Sequence, residues 1–511
     1  LTGSICKLLL GCKSHAHVFF MNVKGAMWWI VSSNDVYNLF CPKMLPTMGA
    51  PDPLPTSKFQ ALKEKLIQFM HSDIYPNEKL FLTQNHAIGT ASNEWHHAPI
   101  LMKLKRKAKA LGLWNLFLPV DSAAVAGTSL GGGLTNRQYG EICEIMGTSV
   151  PMEFAAQATN CTSPDSGNME TLARYGNDEQ KAKWLIPLLE GRIRSAFAMT
   201  EPGRDNNLGS SDATSMSIRV DRDEQNQEYV INGRKWWITG AGSLHCKIMI
   251  LMGKTNPGAA KHATTSQILV PTDTPGITYL RPMETFGEND APKGHMEILF
   301  ENVRVPFDNV LLGEGRGFEI SQGRLGPGRI HHCMRLIGQA ERALAAACDQ
   351  VLKREVFGKK LSRNDIVMQD IAKIRANIEC CRLLVLKAAD RMDALGNKDG
   401  KTRQMLSLVK AYVPQTIQEV VDTCMQMCGG RGFSQDSPLF HAWMGARTLR
   451  MADGPDEVHY RTAGRMELQQ QRNNRMRGLG EYVVDESVVF RKSGDAISEG
   501  TLKILKEYSK L

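Results

Sequence analysis

The sequence predicts a mostly α-helical protein with a central β domain. Apolar residues recur at three- and four-residue spacing from about Ser57 to Leu189, which is typical of helices. The pattern changes near Ile193 to short apolar runs separated by Pro and Gly, and helical spacing returns after Gly317. The resulting α–β–α order lacks the repeated βαβ units of a nicotinamide-binding fold.

These changes of pattern divide the 511-residue chain into segments. We expect an atypical N-terminal segment at 1–55, an N-terminal helical domain at 56–192, a middle β domain at 193–312, a C-terminal helical domain at 313–470 and an atypical tail at 471–511. A group of prolines near residue 50 marks the first boundary. Because the chain starts with Leu instead of Met, we expect a fragment, a processed form or a translated stretch without its natural start.

The composition is that of a soluble globular protein, with 42% hydrophobic and 23% charged residues. The net charge of +9 fits either a generally basic surface or a site for an anionic ligand, and no segment has the pattern of a nucleic-acid-binding module. The apolar run at 18–31 is too short and interrupted to span a membrane, although a cleaved targeting segment is an alternative. The 12 cysteines form no paired CxxC motifs, so we expect reduced thiols in an intracellular protein.

The β region carries a hairpin signal and further strand signals. Runs of β-forming residues flank Asn232-Gly233, which suits a type I′ turn between two strands. Apolar runs at 247–252, 267–271, 277–280 and 296–305 then have the length and boundaries of short strands. We therefore expect short antiparallel strands in the middle domain.

The C-terminal region predicts long amphipathic helices. Apolar residues from Val367 to Ala388 trace one continuous stripe, and three or four such helices up to about Gln470 would form an antiparallel bundle. The pair His331-His332 has no third metal ligand nearby in the sequence. We assign these two histidines to helix packing or to contacts on the substrate side.

Residues 450–461 place three carboxylates and a histidine around a Gly-Pro pair. A metal site is disfavoured, because Asp453, Asp456 and Glu457 share one face of a helix while His459 points elsewhere, which makes His459 a bystander. Asp453 is a candidate N-cap, followed by a first-turn proline and two acids favourable to the helix dipole. A capping residue can also project into a cleft, so an acid/base role stays open.

The β region also offers polar groups for a flat ligand. The hydroxyls of Thr200 and Thr239, with the indole of Trp237, would suit an aromatic molecule with polar edges. The alternative is structural, with Trp236 and Trp237 as one buried and one exposed residue of a strand. Both interpretations stay open on these residues alone.

Five motifs occur in an order and spacing that resemble the acyl-CoA dehydrogenases over about residues 57–470. They are Thr200-Glu-Pro202, Asn232-Gly-x-Lys-x-Trp-Ile-Thr239, Phe300-Glu-Asn-Val-Arg-Val-Pro306, Gly313-Glu-Gly-Arg-Gly-Phe318 and Cys428-Gly-Gly-Arg-Gly432. The runs 323–333 and 452–459 most resemble the branch of family members ten and eleven. The resemblance implies an N-terminal helical domain, a middle β-barrel-like domain and a C-terminal four-helix bundle.

The resemblance also implies an FAD-dependent enzyme of fatty acid β-oxidation, which converts an acyl-CoA to its trans-2-enoyl-CoA. Asp453 matches the catalytic base, and we expect burial to raise its pKa. Gly454 lets the chain pass close to the substrate, and Arg329 matches an arginine near the CoA portion. Pro455 and Glu457 match positions beside the flavin.

Two groups of residues are implied to hold the cofactor. The first, which would contact the isoalloxazine ring, is Met199, Thr200, Trp237 and Thr239. Ser210 or Ser211 would reach the cofactor phosphates, although the spacer between Pro202 and these serines is longer than is usual in the family. The second group, which would bind the FAD of a neighbouring subunit, is Arg354, Val356, Phe357, Gln426 and Gly430. Their use implies a homodimer or a homotetramer.

The expected partners also follow from the resemblance. The substrate is an acyl-CoA or a derivative of a 4-hydroxyacyl-CoA, and the expected electron acceptor is electron-transferring flavoprotein. An alternative electron acceptor is oxygen, as in the peroxisomal acyl-CoA oxidases. The alternative to an enzyme is a non-catalytic scaffold with a dehydrogenase fold. The final Ser509-Lys-Leu511 matches the peroxisomal address, so we expect a peroxisomal or mitochondrial location.

Overall fold

The computed structural model of the chain describes residues 19–23, 26–30, 54–91, 95–203, 212–214 and 216–476. In the first two ranges, Phe19–Val23 (β1) and Ala26–Ile30 (β2) pair as antiparallel strands. Among all the described residues, no helix is long and apolar enough to cross a membrane.

Helices occupy the described region before the sheet. They are α1 (Thr56–Phe69), α2 (Glu78–Ala91), α3 (Pro99–Ala110), α4 (Val120–Val125), α5 (Asn136–Gly147), α6 (Phe154–Ala158), α7 (Asp165–Tyr175), α8 (Asp178–Gln180) and α9 (Ile186–Leu189). Helix α5 begins at a capping box, in which the Thr135 side chain accepts from Gln138 N and the Gln138 side chain accepts from Thr135 N. These reciprocal bonds satisfy two amides that a helix start leaves without partners.

A seven-stranded sheet follows these helices, in the order β3-β6-β4-β5-β9-β8 with β7 paired to β6. Its strands are β3 (Arg194–Ala198), β4 (Arg219–Asp223), β5 (Glu228–Thr239), β6 (Cys246–Lys254), β7 (Thr265–Pro271), β8 (Ile277–Pro282) and β9 (His295–Pro306). The four predicted apolar strands are confirmed as β6 to β9. As expected, β6 pairs antiparallel with β7 and β8 pairs antiparallel with β9, whereas β3 and β4 each pair with β6 in parallel. Neither strand is joined to β6 by a hairpin, so no tight turn sets their direction.

The predicted hairpin turn at Asn232-Gly233 is wrong. Strand β5 runs through both residues, and the connection from β4 to β5 lies at residues 224–227. A register shift between Ile231 and Gly233 marks a β-bulge against β9. Gly233 has φ +143°, and a Cβ there would lie 2.8 Å from Ile218 Cγ1. The glycine therefore permits a bulge and a close strand contact in place of a turn.

Long helices form the region after the sheet. They are α10 (Gly317–Lys353), α11 (Asp365–Leu395), α12 (Gly400–Cys428), α13 (Gly430–Phe433), α14 (Pro438–Leu449) and α15 (Asp456–Met476). A strand pair, β10 (Glu355–Val356) and β11 (Lys359–Lys360), joins α10 to α11. The predicted stripe on α11 is confirmed, since Ile374, Ile378, Cys381, Val385 and Ala388 are buried. Helix α12 packs against α10, α11, α14 and α15, so the expected helical bundle is present after a central sheet.

Helices α5 and α10 cross at two glycines. A Cβ at Gly338 of α10 would overlap the backbone oxygen of Glu144, and a Cβ at Gly147 of α5 would overlap the backbone of Arg335. Beside the crossing, the buried Arg335 guanidinium lies 3.2 Å from Glu153 Oε1. This close approach attaches the N-terminal helices to α10, the helix that carries residues 324–332.

We predict that Gly338→Ala destabilises the protein by about 1–3 kcal/mol, because the added methyl group forces two backbones apart. Gly464→Ala is the matched control, since this helical glycine of α15 is exposed and a Cβ there meets no neighbouring atom within 4 Å. The control should instead stabilise the protein, by up to about 1 kcal/mol. Urea unfolding measures both changes, and equal effects would contradict the proposed helix crossing.

Candidate active site

Asp453 lies in the loop between α14 and α15, and hydrogen bonds from buried side chains fix the shape of this loop. Lys410 Nζ, on α12, donates to the backbone oxygens of Leu449 (2.6 Å) and Gly454 (2.9 Å). His459 Nε2 donates to the backbone oxygen of Asp453 (3.0 Å). Asp453 and Gly454 have φ angles of +59° and +102°, a conformation that is strained for the aspartate. The contacts therefore stabilise a backbone shape that Asp453 would not adopt alone.

Two expectations for this loop are wrong. Helix α15 begins at Asp456, with Asp456 and Glu457 in its first turn as predicted, so Asp453 lies too far upstream to be its N-cap. His459 is not a bystander, because its ring is buried and bonds the loop backbone. A Cβ at Gly454 would lie 2.9 Å from His459 Nε2. A glycine is thus needed at this position for two reasons: the His459 ring leaves no space for a side chain, and the φ angle is positive.

Basic side chains of α10 face the carboxylate of Asp453. His332 Nε2 lies 3.7 Å from Asp453 Oδ2, and the charges of Arg324 and Arg329 also act on this carboxylate. The Arg324 guanidinium stacks 4.0 Å from the Phe197 ring centre on β3. Arg329 Nε and His332 Nδ1 are buried and have no hydrogen-bond partner within the described part of the chain. Arg329, predicted to bind substrate, therefore lies beside the candidate base with hydrogen-bonding capacity to spare.

Asp453 is ionised at neutral pH. Burial alone would raise its pKa, but electrostatic interactions with His332, Arg324, Arg329 and Lys410 outweigh burial and hold the pKa of Asp453 below its ordinary value. Burial lowers the pKa of His332 itself, so this imidazole is neutral at neutral pH. Burial lowers the pKa of Arg324 to about 10, which leaves this arginine protonated at neutral pH. The expectation of a raised pKa is wrong, because no local pattern in the sequence indicates that these basic groups converge on one carboxylate.

A bulge shapes the end of β5 that carries Trp237 and Thr239. The register with β9 shifts between Lys235 and Ile238, and Trp237 takes φ +57° with its side chain 39% exposed. The neighbouring Trp236 has its Nε1 buried without a hydrogen-bond partner among the described residues. The bulge therefore leaves one indole ring facing outwards and one indole N–H unsatisfied.

Met199 and Thr200 are held against this part of β5. Lys235 Nζ donates to Met199 O (2.7 Å) and to Glu201 Oε1 (2.9 Å), and Trp236 N donates to Thr200 O (3.1 Å). The Lys235 side chain is fully buried, and burial lowers its pKa to about 8 against the opposing charge of Glu201. Met199, Thr200 and the bulge of β5 consequently form one continuous surface.

The hydroxyl of Thr239 contacts a histidine that the sequence did not single out. Thr239 Oγ1 lies 2.8 Å from His295 Nδ1, and His295 Nε2 lies 3.2 Å from Asp290 Oδ2. The Trp237 and His295 ring centres are 5.9 Å apart. Thr239, Trp237 and His295 therefore belong to one cluster at the end of β5.

The other predicted cofactor residues lie in different places. Ser210 and Ser211 are outside the described residues. Glu457 is exposed in the first turn of α15, directly after Pro455 and Asp456. The residues predicted to reach a neighbouring subunit lie around β10 and at the junction of α12 and α13: Arg354, Val356, Phe357, Gln426 and Gly430. Among the described residues, no group of three or more His, Cys, Asp or Glu side chains could hold a metal ion.

Two residues of the site, Lys410 and His295, were missed, and His332 had been assigned only to helix packing or to contacts on the substrate side. Lys410 could have been found, because a lysine on the apolar face of a predicted helix indicates a buried, hydrogen-bonded cation. His332 and His295 depend on α10 facing the Asp453 loop and on β5 pairing with β9. These are long-range contacts that no local pattern in the sequence indicates.

A loop carboxylate on a helical bundle, next to a sheet that exposes an indole, is the arrangement of an oxidoreductase of the acyl-CoA dehydrogenase type, and the comparisons agree. Residues 196–303 match the model of the acyl-CoA dehydrogenase middle domain, and residues 315–468 match that of the C-terminal domain. A solved structure described as an acyl-CoA dehydrogenase from Mycobacterium abscessus has 47% sequence identity and a TM-score of 0.75, covering 82% of this chain and 99% of that one.

Curated relatives give the same result. Probable acyl-CoA dehydrogenase FadE2 of Mycobacterium tuberculosis is 46% identical over 412 residues, covering 80% of this chain and 95% of that protein. Acyl-CoA dehydrogenase family member 10 of Mus musculus is 50% identical over 410 residues, and family member 11 of Homo sapiens is 47% identical over 421 residues. The chain covers 80% and 81% of its own length in these two matches, but spans only 37% and 51% of the two relatives.

The chain belongs to the acyl-CoA dehydrogenase family. Membership implies an oxidoreductase with FAD as its cofactor. The resemblance identified in the sequence is thereby confirmed, including its closeness to family members ten and eleven.

We predict that Lys410→Met lowers stability by about 2 kcal/mol or more, because it leaves two backbone carbonyls without their buried donor. Lys401→Met on the same helix is the control, since Lys401 is exposed. Thermal unfolding of the two variants measures the difference. A Lys410→Met protein as stable as the control would show that the loop does not depend on this ammonium.

Proposed function

We propose that this chain is an FAD-dependent acyl-CoA dehydrogenase of fatty acid β-oxidation, which forms a trans-2-enoyl-CoA with Asp453 as the catalytic base. The observation that carries the proposal is the Asp453 loop. Its carboxylate is ionised, sits on a backbone held by Lys410 and His459, and is faced by the cations of α10. An ionised carboxylate in a fixed position is the group that proton abstraction next to a thioester carbonyl requires.

The residues of the sheet fit a flavin. An unpaired buried donor costs about 1–3 kcal/mol unless a ligand or water satisfies it, and Trp236 Nε1 is such a donor beside the bulge. The exposed ring of Trp237 offers a flat apolar surface, and Thr239 offers a hydroxyl next to it. Met199, Thr200, Trp237 and Thr239 would hold the isoalloxazine ring. Bound FAD supplies the acceptor for the two electrons that leave the substrate as a hydride.

The chain's own residues account for the proton. Asp453 accepts the proton from Cα as the Cα–Cβ double bond forms and the β-hydrogen leaves with its electron pair. Negative charge grows on the thioester oxygen during this step, and the nearby cations of α10 would stabilise it. Arg329 is the best placed of these, because its Nε is buried without a partner in the described chain and it acts electrostatically on Asp453.

The acyl chain is proposed to carry oxygen, as in a derivative of a 4-hydroxyacyl-CoA. Arg324, Arg329 and His332 add basic groups near the candidate base, where an unsubstituted alkyl chain would offer them no partner. This chain spans only 37% of family member ten and 51% of family member eleven, so the substrate of a longer protein is a proposal as well.

The purified chain, supplied with FAD, should become yellow, and an acyl-CoA substrate should bleach it in the absence of oxygen. Acyl-CoAs of several lengths and their 4-hydroxy derivatives define the substrate class. The same assay with electron-transferring flavoprotein and with oxygen identifies the acceptor, for which we propose the flavoprotein. A chain that is colourless once unbound FAD has been removed would overturn the proposal in favour of a non-catalytic scaffold.

We predict that Asp453→Asn retains FAD but slows reduction by substrate about 10²–10⁴-fold, because the amide cannot accept the proton. Rapid-mixing absorbance of the flavin measures the rate. Glu467→Gln is the control, since this acid of α15 is exposed and accepts hydrogen bonds from the side chains of Gln404 and Gln471. Wild-type rates in Asp453→Asn would remove the residue from the mechanism.

A homodimer or homotetramer is proposed from the surface around β10. Phe357 is fully exposed, and Phe433 is 80% exposed at the end of α13. Aromatic side chains this exposed are typical of a covered interface. Phe357 lies beside Arg354 and Val356, which are proposed to contact the FAD of the neighbouring copy.

We predict that Phe357→Asp lowers both the oligomeric state and the FAD content, because a charge replaces an apolar contact. Aspartate tolerates the φ of +50° at this position better than phenylalanine, so the variant should fold. Sedimentation velocity with flavin absorbance measures both quantities. Leu130→Asp, at an exposed leucine of the N-terminal region, is the control, and equal behaviour of the two variants would count against the interface.

A further inference from the structure

Thr239, His295 and Asp290 form a chain of hydrogen bonds that the proposed reaction does not yet use. Thr239 and His295 are paired across β5 and β9, with 2.8 Å between Thr239 Oγ1 and His295 Nδ1. On the other side of the ring, His295 Nε2 lies 3.2 Å from Asp290 Oδ2. Lys293 Nζ lies 3.1 Å from the same carboxylate oxygen. The protonation of Asp290 therefore constrains the position of the proton on His295, and His295 in turn constrains the hydroxyl proton of Thr239.

The charge of Asp290 determines which way the protons point. Burial alone would raise the pKa of Asp290, but Lys293 and His295 hold it well below its ordinary value, so the group is a carboxylate. A carboxylate only accepts hydrogen bonds, so His295 Nε2–H is the donor in this contact. In the neutral imidazole, Nδ1 then carries the lone pair, and the Thr239 hydroxyl donates its proton to it.

We propose that His295, oriented by Asp290, fixes the Thr239 hydroxyl as a hydrogen-bond acceptor towards the bound flavin and thereby favours the reduced cofactor. His295 is a positioning residue, because it acts through Thr239. The inference rests on the proposed function, in which Thr239 contacts the isoalloxazine ring. It assigns His295 and Asp290 a role in setting the reduction equilibrium of that ring.

The direction of the effect follows from hydrogen-bond capacity. A threonine hydroxyl has one proton, and once that proton is directed to His295 only lone pairs remain for a ligand. The reduced isoalloxazine ring carries N–H groups that the oxidised ring lacks, and these can donate to such lone pairs. The oxidised ring instead offers ring nitrogens that need a donor. A fixed acceptor therefore stabilises the reduced ring more than the oxidised one.

A purely structural role for the histidine gives a different expectation. The β5–β9 pairing already continues through a backbone bond next to the cluster, with 2.9 Å from Gly240 N to Gly294 O, and the backbone oxygen of His295 is bonded from the β8 side by Met283 N at 2.7 Å. Loss of a structural side-chain bond would lower stability and weaken binding of both forms of FAD equally. A change in the equilibrium between those two forms requires that the side chain affects their binding differently.

The test uses the full chain loaded with FAD, and measures the midpoint potential against reference dyes without substrate. In His295→Gln, the amide lies near the former Nε2 and keeps the Asp290 contact while losing Nδ1. In His295→Asn, the amide oxygen lies near the former Nδ1 and can still accept from Thr239. The two substitutions therefore separate the two sides of the imidazole ring.

We expect His295→Gln to shift the reduction equilibrium about tenfold towards the oxidised form, which is about 30 mV for a two-electron couple. His295→Asn should stay within about threefold of the wild type. Asp290→Asn should shift in the same direction as His295→Gln, and it decides the question if His295→Gln does not fold. The ratio of affinities for oxidised and reduced FAD should change by the same factor as the equilibrium.

An unchanged potential in His295→Gln, or in Asp290→Asn where the first variant is unfolded, would overturn the inference. So would a shift towards the reduced form, since a doubly protonated imidazole would donate to Thr239 and free the hydroxyl proton. These results leave the proposed function intact if the wild type is yellow and is bleached by an acyl-CoA. A wild type that takes up no FAD would overturn the proposed function, and the inference with it.

Discussion

The ammonium group of Lys410 connects the helical bundle to the loop that carries the candidate base. Transfer of a charged group into a protein interior is costly unless its protons find acceptors, and the carbonyls of Leu449 and Gly454 are two such acceptors. One of them follows the strained Asp453 directly. The position of the Asp453 carboxylate therefore depends on a lysine that is 1% exposed and belongs to a different helix. The hydrogen bonds of Lys410 thus link the position of α12 in the bundle to the position of the candidate base in the loop.

Charge balance extends from this lysine across the site. The carboxylate of Asp453 is opposed by Lys410, Arg324 and Arg329, so positive charge is concentrated around it. Such a concentration of charge favours anionic ligands, and a CoA thioester is a large polyanion. The composition alone left open whether the net positive charge reflects a generally basic surface or a site for an anionic ligand. At least part of that charge is concentrated around Asp453.

The sequence predicted the parts of this structure that depend on local patterns. The stripe on α11, the strands β6 to β9 and the acids at the start of α15 follow from residues close together in the chain. Asn232-Gly233 shows the limit of such patterns, because a pair that favours a tight turn equally permits a bulge within a long strand. The pKa of Asp453 shows a second limit. Burial was predictable, but the opposing cations come from residues 43 to 129 positions away along the chain.

The bulge at Trp237 also restricts how this strand can evolve. Side chains alternate between the two faces of a strand, so removal of one residue between the bulge and the strand end would exchange Thr239 with its buried neighbour Ile238. The hydroxyl would then enter the hydrophobic core and an isoleucine would face the cofactor side. A substitution in β5 changes one side chain, whereas a change of length exchanges the faces of all residues beyond it. Insertions and deletions are consequently confined to connections such as residues 255–263, where no strand register has to be kept.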